Sequence, residues 1–124
     1  MSGKQPERHW KRYISDMVQF SEKVLRYANG QTKQGFLKNK RHYDATVRNL
    51  ALLGEAADKI PTVIQVEYAQ VPWHQIIGTK DRIIDANLGR GDLGVDDDLI
   101  WSLIIDDIPV LVPALREILN TPDP

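Results

Sequence analysis

Apolar residues recur at three- and four-residue steps along most of this chain, and that spacing predicts helices. Trp10, Tyr13, Ile14, Met17, Val24, Leu25 and Ala28 outline a long amphipathic helix over roughly residues 7–28. Pro6 suits its first turn, and Asn29-Gly30 supplies the stop. Thr32 can cap a short turn carrying Phe36 and Leu37. A second long helix is predicted from about Arg41 to Lys59. Its inner face carries Ala45, Thr46, Leu50, Leu53, Ala57 and Ile60, flanked by Asn49 and Glu55. Gly54 costs that helix about 1 kcal/mol against alanine and points to close helix–helix approach. Pro61 ends it and can begin the next, whose apolar positions are Val63, Ile64, Val66 and Tyr68. After the connector Val71-Pro72, Trp73 anchors a helix through Ile76, Ile77, Ile83 and Ile84.

The clearest break is Leu88–Val95, with three glycines in eight residues. Asp96 is a suitable N-cap, and Asp97 and Asp98 sit where acids complement a helix dipole. The last helix carries Ile100, Leu103, Ile104, Ile108, Leu111, Leu115, Ile118 and Leu119. Pro109 and Pro113 fall inside that pattern, so a kink or two segments are expected. Val110–Val112 is too short, and too fenced by prolines, to be a strand. The pattern therefore predicts an all-α fold, an antiparallel bundle of four or five helices. It forms one domain over residues 6–120, with a disordered lead at 1–5 and a fraying tail at 121–124.

Length and composition narrow the function classes. At 124 residues the chain has room for one real core. A net charge of −1 leaves no global footprint for nucleic acid or membrane, so any RNA contact must be a local patch. Cysteine is absent, which removes disulfides, thiolate catalysis and cysteine-based zinc sites. The N-terminal MSGKQPERHWKR has no apolar core of a signal peptide, and no apolar run reaches the roughly 18 residues a membrane span needs. A cytoplasmic protein without membrane contact is expected. His9, His42 and His74 fall on three different elements, none paired at helical ligand spacing, so neither metal nor cofactor is expected. The acids Asp96–Asp98 are read as a helix start rather than a cation site. Asp106-Asp107 reads as a solvated face or an ion-pair partner for a lysine or arginine. The basic run Lys38–His42 (KNKRH) reads first as a solvated helix face.

One stretch resists so plain a reading. Gly78–Asp96, GTKDRIIDANLGRGDLGVD, crowds Lys80, Asp81, Arg82, Asp85, Asn87, Arg90 and Asp92 around Ile83, Ile84, Ala86 and Leu88. On a helix, Arg82 and Asp85 lie one turn apart. That gives cations able to hold a phosphate and a carboxylate able to take a proton. It also gives an ordinary salt bridge worth a few tenths of a kcal/mol. On residue types alone both readings stand.

Three blocks in order, RNLALLGEAADKIP (48–61), VPWHQIIGTKDRIID (71–85) and GVDDDLIW (94–101), resemble the HepT family of the HEPN superfamily. The resemblance spans about residues 7–119. It implies a helical bundle that forms homodimers and is encoded beside an MntA-like minimal nucleotidyltransferase, the antitoxin to a HepT toxin. Active members of the family are metal-independent endoribonucleases. Their signature is an arginine, four residues, a histidine, one residue and a tyrosine, brought together from two protomers at the dimer interface. The histidine and arginine serve RNA cleavage through the 2′-hydroxyl, and the tyrosine can receive AMP from the antitoxin.

This chain departs from the signature at every position. Lys80 stands for the arginine, Asp85 for the histidine and Asn87 for the tyrosine, while Arg82 retains a second arginine often found within the motif. Gly89–Leu93 (GRGDL) is additional, and nothing in its chemistry accounts for it. Lysine loses the bidentate grip on phosphate. Aspartate, titrating near 4 against about 6.5 for histidine, is anionic at neutral pH and repels a phosphodiester. Asparagine has no phenol to adenylylate. The resemblance thus implies a catalytic set of Lys80, Arg82 and Asp85 that is impaired, with Asn87 where the modification site is lost. Two other expectations stand beside it: a module that docks a nucleotidyltransferase, or a helical dimer whose polar stretch only salt-bridges its interface.

Overall fold

The structure, a computed structural model, describes residues 6–87 and 97–122; for residues 6–8, Lys80 and residues 82–87 it describes the backbone alone. The expected Leu88–Val95 break, the Asp96 cap, the lead at 1–5 and the last two residues lie outside the described residues. Those described form α1 (Pro6–Ala28), α2 (Lys33–Lys38), α3 (Lys40–Asp58), α4 (Thr62–Glu67), α5 (Trp73–Asn87), α6 (Asp97–Ser102) and α7 (Ile108–Asn120). A π-helical turn, Leu103–Asp107, joins the last two. No strand occurs among the described residues, and the fold is all-α.

Local chemistry sets most of the boundaries. Gly30 takes φ +76° just past α1, a left-handed conformation that side chains with a Cβ avoid. The Thr32 hydroxyl accepts from the Gly35 N–H at 3.0 Å and starts α2. Asn39 serves two helices. It ends α2, and its side-chain carbonyl accepts from the His42 N–H at 3.2 Å to start α3.

The helices pack as neighbours in an antiparallel bundle. α3 lies between α1 and α5, and α7 covers α1. The Lys11 ammonium donates to the Thr121 carbonyl at 2.6 Å, and Glu22 further along α1 pairs with Arg116 further back along α7. Contacts that ascend one helix while descending the other fix these two as antiparallel. Ile14, Met17, Val24, Phe36, Leu50, Leu53, Ala57, Ile100, Ile104, Leu115 and Ile118 fill a single core. Burial of each larger side chain contributes about 1.5–3 kcal/mol.

Packing settles two features that the pattern left open. Val63 and Val66 are 70% and 71% exposed, and only Ile64 of α4 is buried. A helix of six residues makes under two turns, so one narrow edge is all it can turn inward. The last helix forms two segments, as its prolines led one to expect, and the join between them falls just before Pro109. The Ile108 N–H donates to the Leu103 carbonyl across five residues, and this wide turn makes room for Pro109, whose ring would crowd the carbonyl four residues back. Pro113 sits within α7 without ending it, on the exposed side where water can reach the unpaired carbonyl.

The Ser21 and Thr46 hydroxyls are fully buried without a hydrogen-bond partner. A buried hydroxyl of this kind costs about 1–3 kcal/mol. Thr46→Val keeps the shape and removes the donor. It is expected to raise stability by about 1 kcal/mol, read as a higher urea midpoint with an unchanged slope.

Candidate functional site

α5 is seated at its first turn. The Trp73 indole N–H donates to the Tyr68 carbonyl at 3.1 Å, and Tyr68 in turn meets Trp10 of α1 with ring centroids 6.4 Å apart. Ile76 and Thr79 then share an apolar cavity with Leu50 and Leu53 of α3. Thr79 is only 5% exposed, and its hydroxyl donates to the Gln75 carbonyl at 2.8 Å instead of remaining unpaired. Because α5 starts beside the end of α3 and runs back along it, its later turns extend toward the first turns of α3. Lys80, Arg82, Asp85 and Asn87 all lie on that stretch of α5. Their side chains are outside the described residues, so the structure places the four on one helix within eight residues and goes no further. Asp81, between them, is exposed.

The far end of the bundle carries a polar clamp that the sequence pattern did not disclose. The Tyr43 hydroxyl on α3 donates to Asp97 at 2.7 Å, and Lys33 on α2 pairs with Asp98. Behind them Phe36 packs between Tyr43 and Trp101, at centroid separations of 6.1 and 5.6 Å. Asp97 and Asp98 therefore open α6 while reaching two other helices, and no group of three potential metal ligands occurs among the described residues. His42 is likewise held in packing. Its Nδ1 lies 2.9 Å from the Gln31 amide nitrogen and 3.2 Å from that of Asn39, and its ring stacks on Tyr27.

The π-helical turn brings Asp107 to the edge of the α3–α5 cavity, where the Gln75 amide donates to it at 3.4 Å. Asp106 points elsewhere, accepting from the Ser102 hydroxyl at 3.4 Å. Neither acid has a basic partner among the described residues, so of the two expected readings the solvated face holds for exposed Asp106, while Asp107 is half-buried at the cavity edge. Burial, reinforced by the neighbouring Asp106 charge, pushes the Asp107 carboxyl above the ordinary aspartate range. A raised folded-state pKa favours the neutral acid. Its stability contribution is full below the unfolded pKa near 3.9 and is lost as pH rises through the folded value. Asp107→Asn is accordingly expected to melt higher than the parent at pH 7, with the two curves converging below about pH 4.

Comparison with known proteins draws these observations together. The family model described as ribonuclease HepT-like matches residues 17–118. A protein of Caldanaerobacter subterraneus subsp. tengcongensis, named as a candidate RNase, is 30% identical over 108 residues, covering 87% of this chain and 92% of the relative. Another candidate RNase, from Methanocaldococcus jannaschii, is 25% identical over 115 residues, 93% of this chain and 91% of its own length. A probable ribonuclease HepT from Thermococcus cleftensis is 28% identical over 105 residues, with 85% and 91% covered. No solved structure matches the chain at a significant level.

Proposed function

We propose, because the chain belongs to the HepT-like ribonuclease family, that it is an RNase-type relative whose own cleavage chemistry is impaired. The observation that carries this reading is the family match, which runs through the whole of α5 while the three signature positions there hold Lys80, Asp85 and Asn87. Lys80 and Arg82 would contact an RNA phosphate, and Asp85 would occupy the acid–base position beside the 2′-hydroxyl. Cleavage of this kind needs no metal: an internal nucleophile is already in place, and cationic side chains can stabilise the phosphorane charge. Two protomers would bring their α5 stretches together, and the assembly would meet an MntA-like nucleotidyltransferase antitoxin. No helix among the described residues is long and apolar enough to cross a membrane, which suits action on RNA in the cytoplasm. Restoring histidine and tyrosine, by Asp85→His with Asn87→Tyr, tests the reading: RNA that the parent leaves largely intact should be cleaved.

A second reading is favoured by the simultaneous loss of all three signature groups from an otherwise retained scaffold. The chain would then be a docking module for the nucleotidyltransferase with no chemistry of its own. Co-purification with the product of the neighbouring gene checks it, and failure to bind any minimal nucleotidyltransferase would sink it.

A further inference from the structure

We propose that Lys38 and Arg41, at the corner where α2 meets α3, and Arg48, two turns further along α3, form a rim that contacts the phosphates of single-stranded RNA. This inference rests on the RNase-type reading above and assigns it a binding surface outside α5. The basic run of the sequence supplies two of the three residues; the fold supplies the third and the location.

All three side chains are exposed, and none has an ion pair or hydrogen bond among the described residues. Their neighbours differ. Lys33 is committed to Asp98, and Lys40 to Asp44 at 3.2 Å. Those two pairs offset the charges of Asp98 and Asp44, while Asp97, held by the neutral Tyr43 hydroxyl, keeps its own; among the described residues Lys38, Arg41 and Arg48 are left uncommitted. Arg41 and Arg48 are seven residues apart on α3, two turns along the same exposed face and about 10 Å along the axis. Each presents a planar guanidinium whose fork fits phosphate oxygens. On a chain whose net charge is −1, this corner is a local concentration of cation.

Its place in the bundle ties it to the candidate site. α5 runs along α3 toward the same end. The chain re-enters the described structure at Asp97, clamped to Tyr43, one residue from His42 of the basic run. An RNA strand lying on the α2–α3 corner is therefore held at the end of the molecule toward which Lys80–Asn87 point along the helix axis.

The chemistry of the corner selects phosphate over a protein partner. The large exposed apolar side chains among the described residues, Val63, Val66, Ile105 and Val110, are on α4, the π-helical turn and α7. Among the described residues the corner thus lacks the apolar or aromatic anchor on which protein interfaces concentrate their energy. Nor can it read bases by stacking. Tyr43 is engaged by Asp97 and Phe36, and Tyr27 by His42. Contacts limited to phosphate give binding that depends steeply on salt and little on sequence.

The test is anisotropy titration of the full-length protein with a short 2′-O-methyl oligoribonucleotide, which cannot be cleaved through its 2′-hydroxyl, between about 50 and 200 mM salt. Removing three phosphate contacts at about 0.7 each should lower the log–log salt slope by about 2 in Lys38→Gln/Arg41→Gln/Arg48→Gln. Oligo-U and oligo-A should lose affinity alike. Arg12→Gln/Lys59→Gln, which removes exposed cations at the opposite end, should leave the slope unchanged, and thermal melts should be the same for all three proteins. An unaltered slope in the triple variant, or an equal drop in the control, overturns the rim while leaving the RNase-type reading intact. A parent protein that binds no RNA overturns both. Loss of nucleotidyltransferase capture with RNA binding retained reassigns the corner to a protein partner and also overturns the proposal.

Discussion

Phe36→Ala is expected to cost about 3–5 kcal/mol, the range for deleting a fully buried aromatic ring. The residue is 0% exposed, yet it belongs to a helix of only six residues, which has little stability of its own. Its ring lies between Tyr43 of α3 and Trp101 of α6. Truncation therefore empties the contact that joins three helices at one corner, and the cap at Thr32 contributes only about 1 kcal/mol toward holding α2 in its absence. Domains of this size have roughly 5–15 kcal/mol in total, so the variant should lose a large fraction of it. A thermal midpoint lowered by more than about 10 °C is the expected reading. Val63→Ala, at a side chain that is 70% exposed, should move it little. A Phe36 variant that melts with the parent would show that the corner is not held by this ring, and with it the clamp on Asp97 and Asp98 would lose its packed backing.

The contrast between Phe36 and Val63 also shows what the amino-acid pattern can and cannot disclose. Periodicity located α1, α3, α5 and the last helix because each is long enough for its buried stripe to repeat several times. Stops and starts at Asn29-Gly30, Thr32 and Pro61 were legible because the chemistry acts within a turn of the residue itself. In α4 the same apolar composition predicts the helix but not its inner face, since which of Val63, Ile64 and Val66 turns inward depends on what the rest of the chain brings against it. The π-helical turn was invisible for a related reason: a proline announces strain, but where the helix widens to absorb it depends on the packing around Leu103 and Ile104. Tyr43 with Asp97 spans 54 positions, and no local rule pairs residues so far apart. The candidate site is a different case. Lys80, Arg82, Asp85 and Asn87 are indistinguishable from a salt-bridged helix end on residue types alone, and only the likeness of the flanking blocks singles them out.

That likeness makes the second large effect a gain of activity. Asp85→His exchanges a residue type whose model-peptide value is about 3.9 for one of about 6.5, close to the pH at which a single side chain can both accept and return a proton. General acid–base participation contributes about 10²- to 10⁴-fold, so Asp85→His/Asn87→Tyr should cleave RNA at least about 100-fold faster than the parent. Adding Lys80→Arg should raise it further by restoring a bidentate contact to the scissile phosphate. Cleavage should persist in EDTA, and its rate should fall as pH drops below about 6, where a histidine base becomes protonated. Asp85→Asn separates the two effects that the substitution combines. It lifts the repulsion between carboxylate and phosphodiester without supplying a base, so it should recover RNA affinity with little cleavage. Asn87→Tyr offers a phenol in place of an amide, and a purified minimal nucleotidyltransferase with ATP should then add AMP to the double variant but not to Asp85→His alone. Intact RNA after incubation with the triple variant, despite a parent-like melt, would mean that the α5 stretch is not a disarmed nuclease site. The docking-module reading would then be the stronger one, because a scaffold that cannot be re-armed by its family's own three residues owes its retention to what it binds.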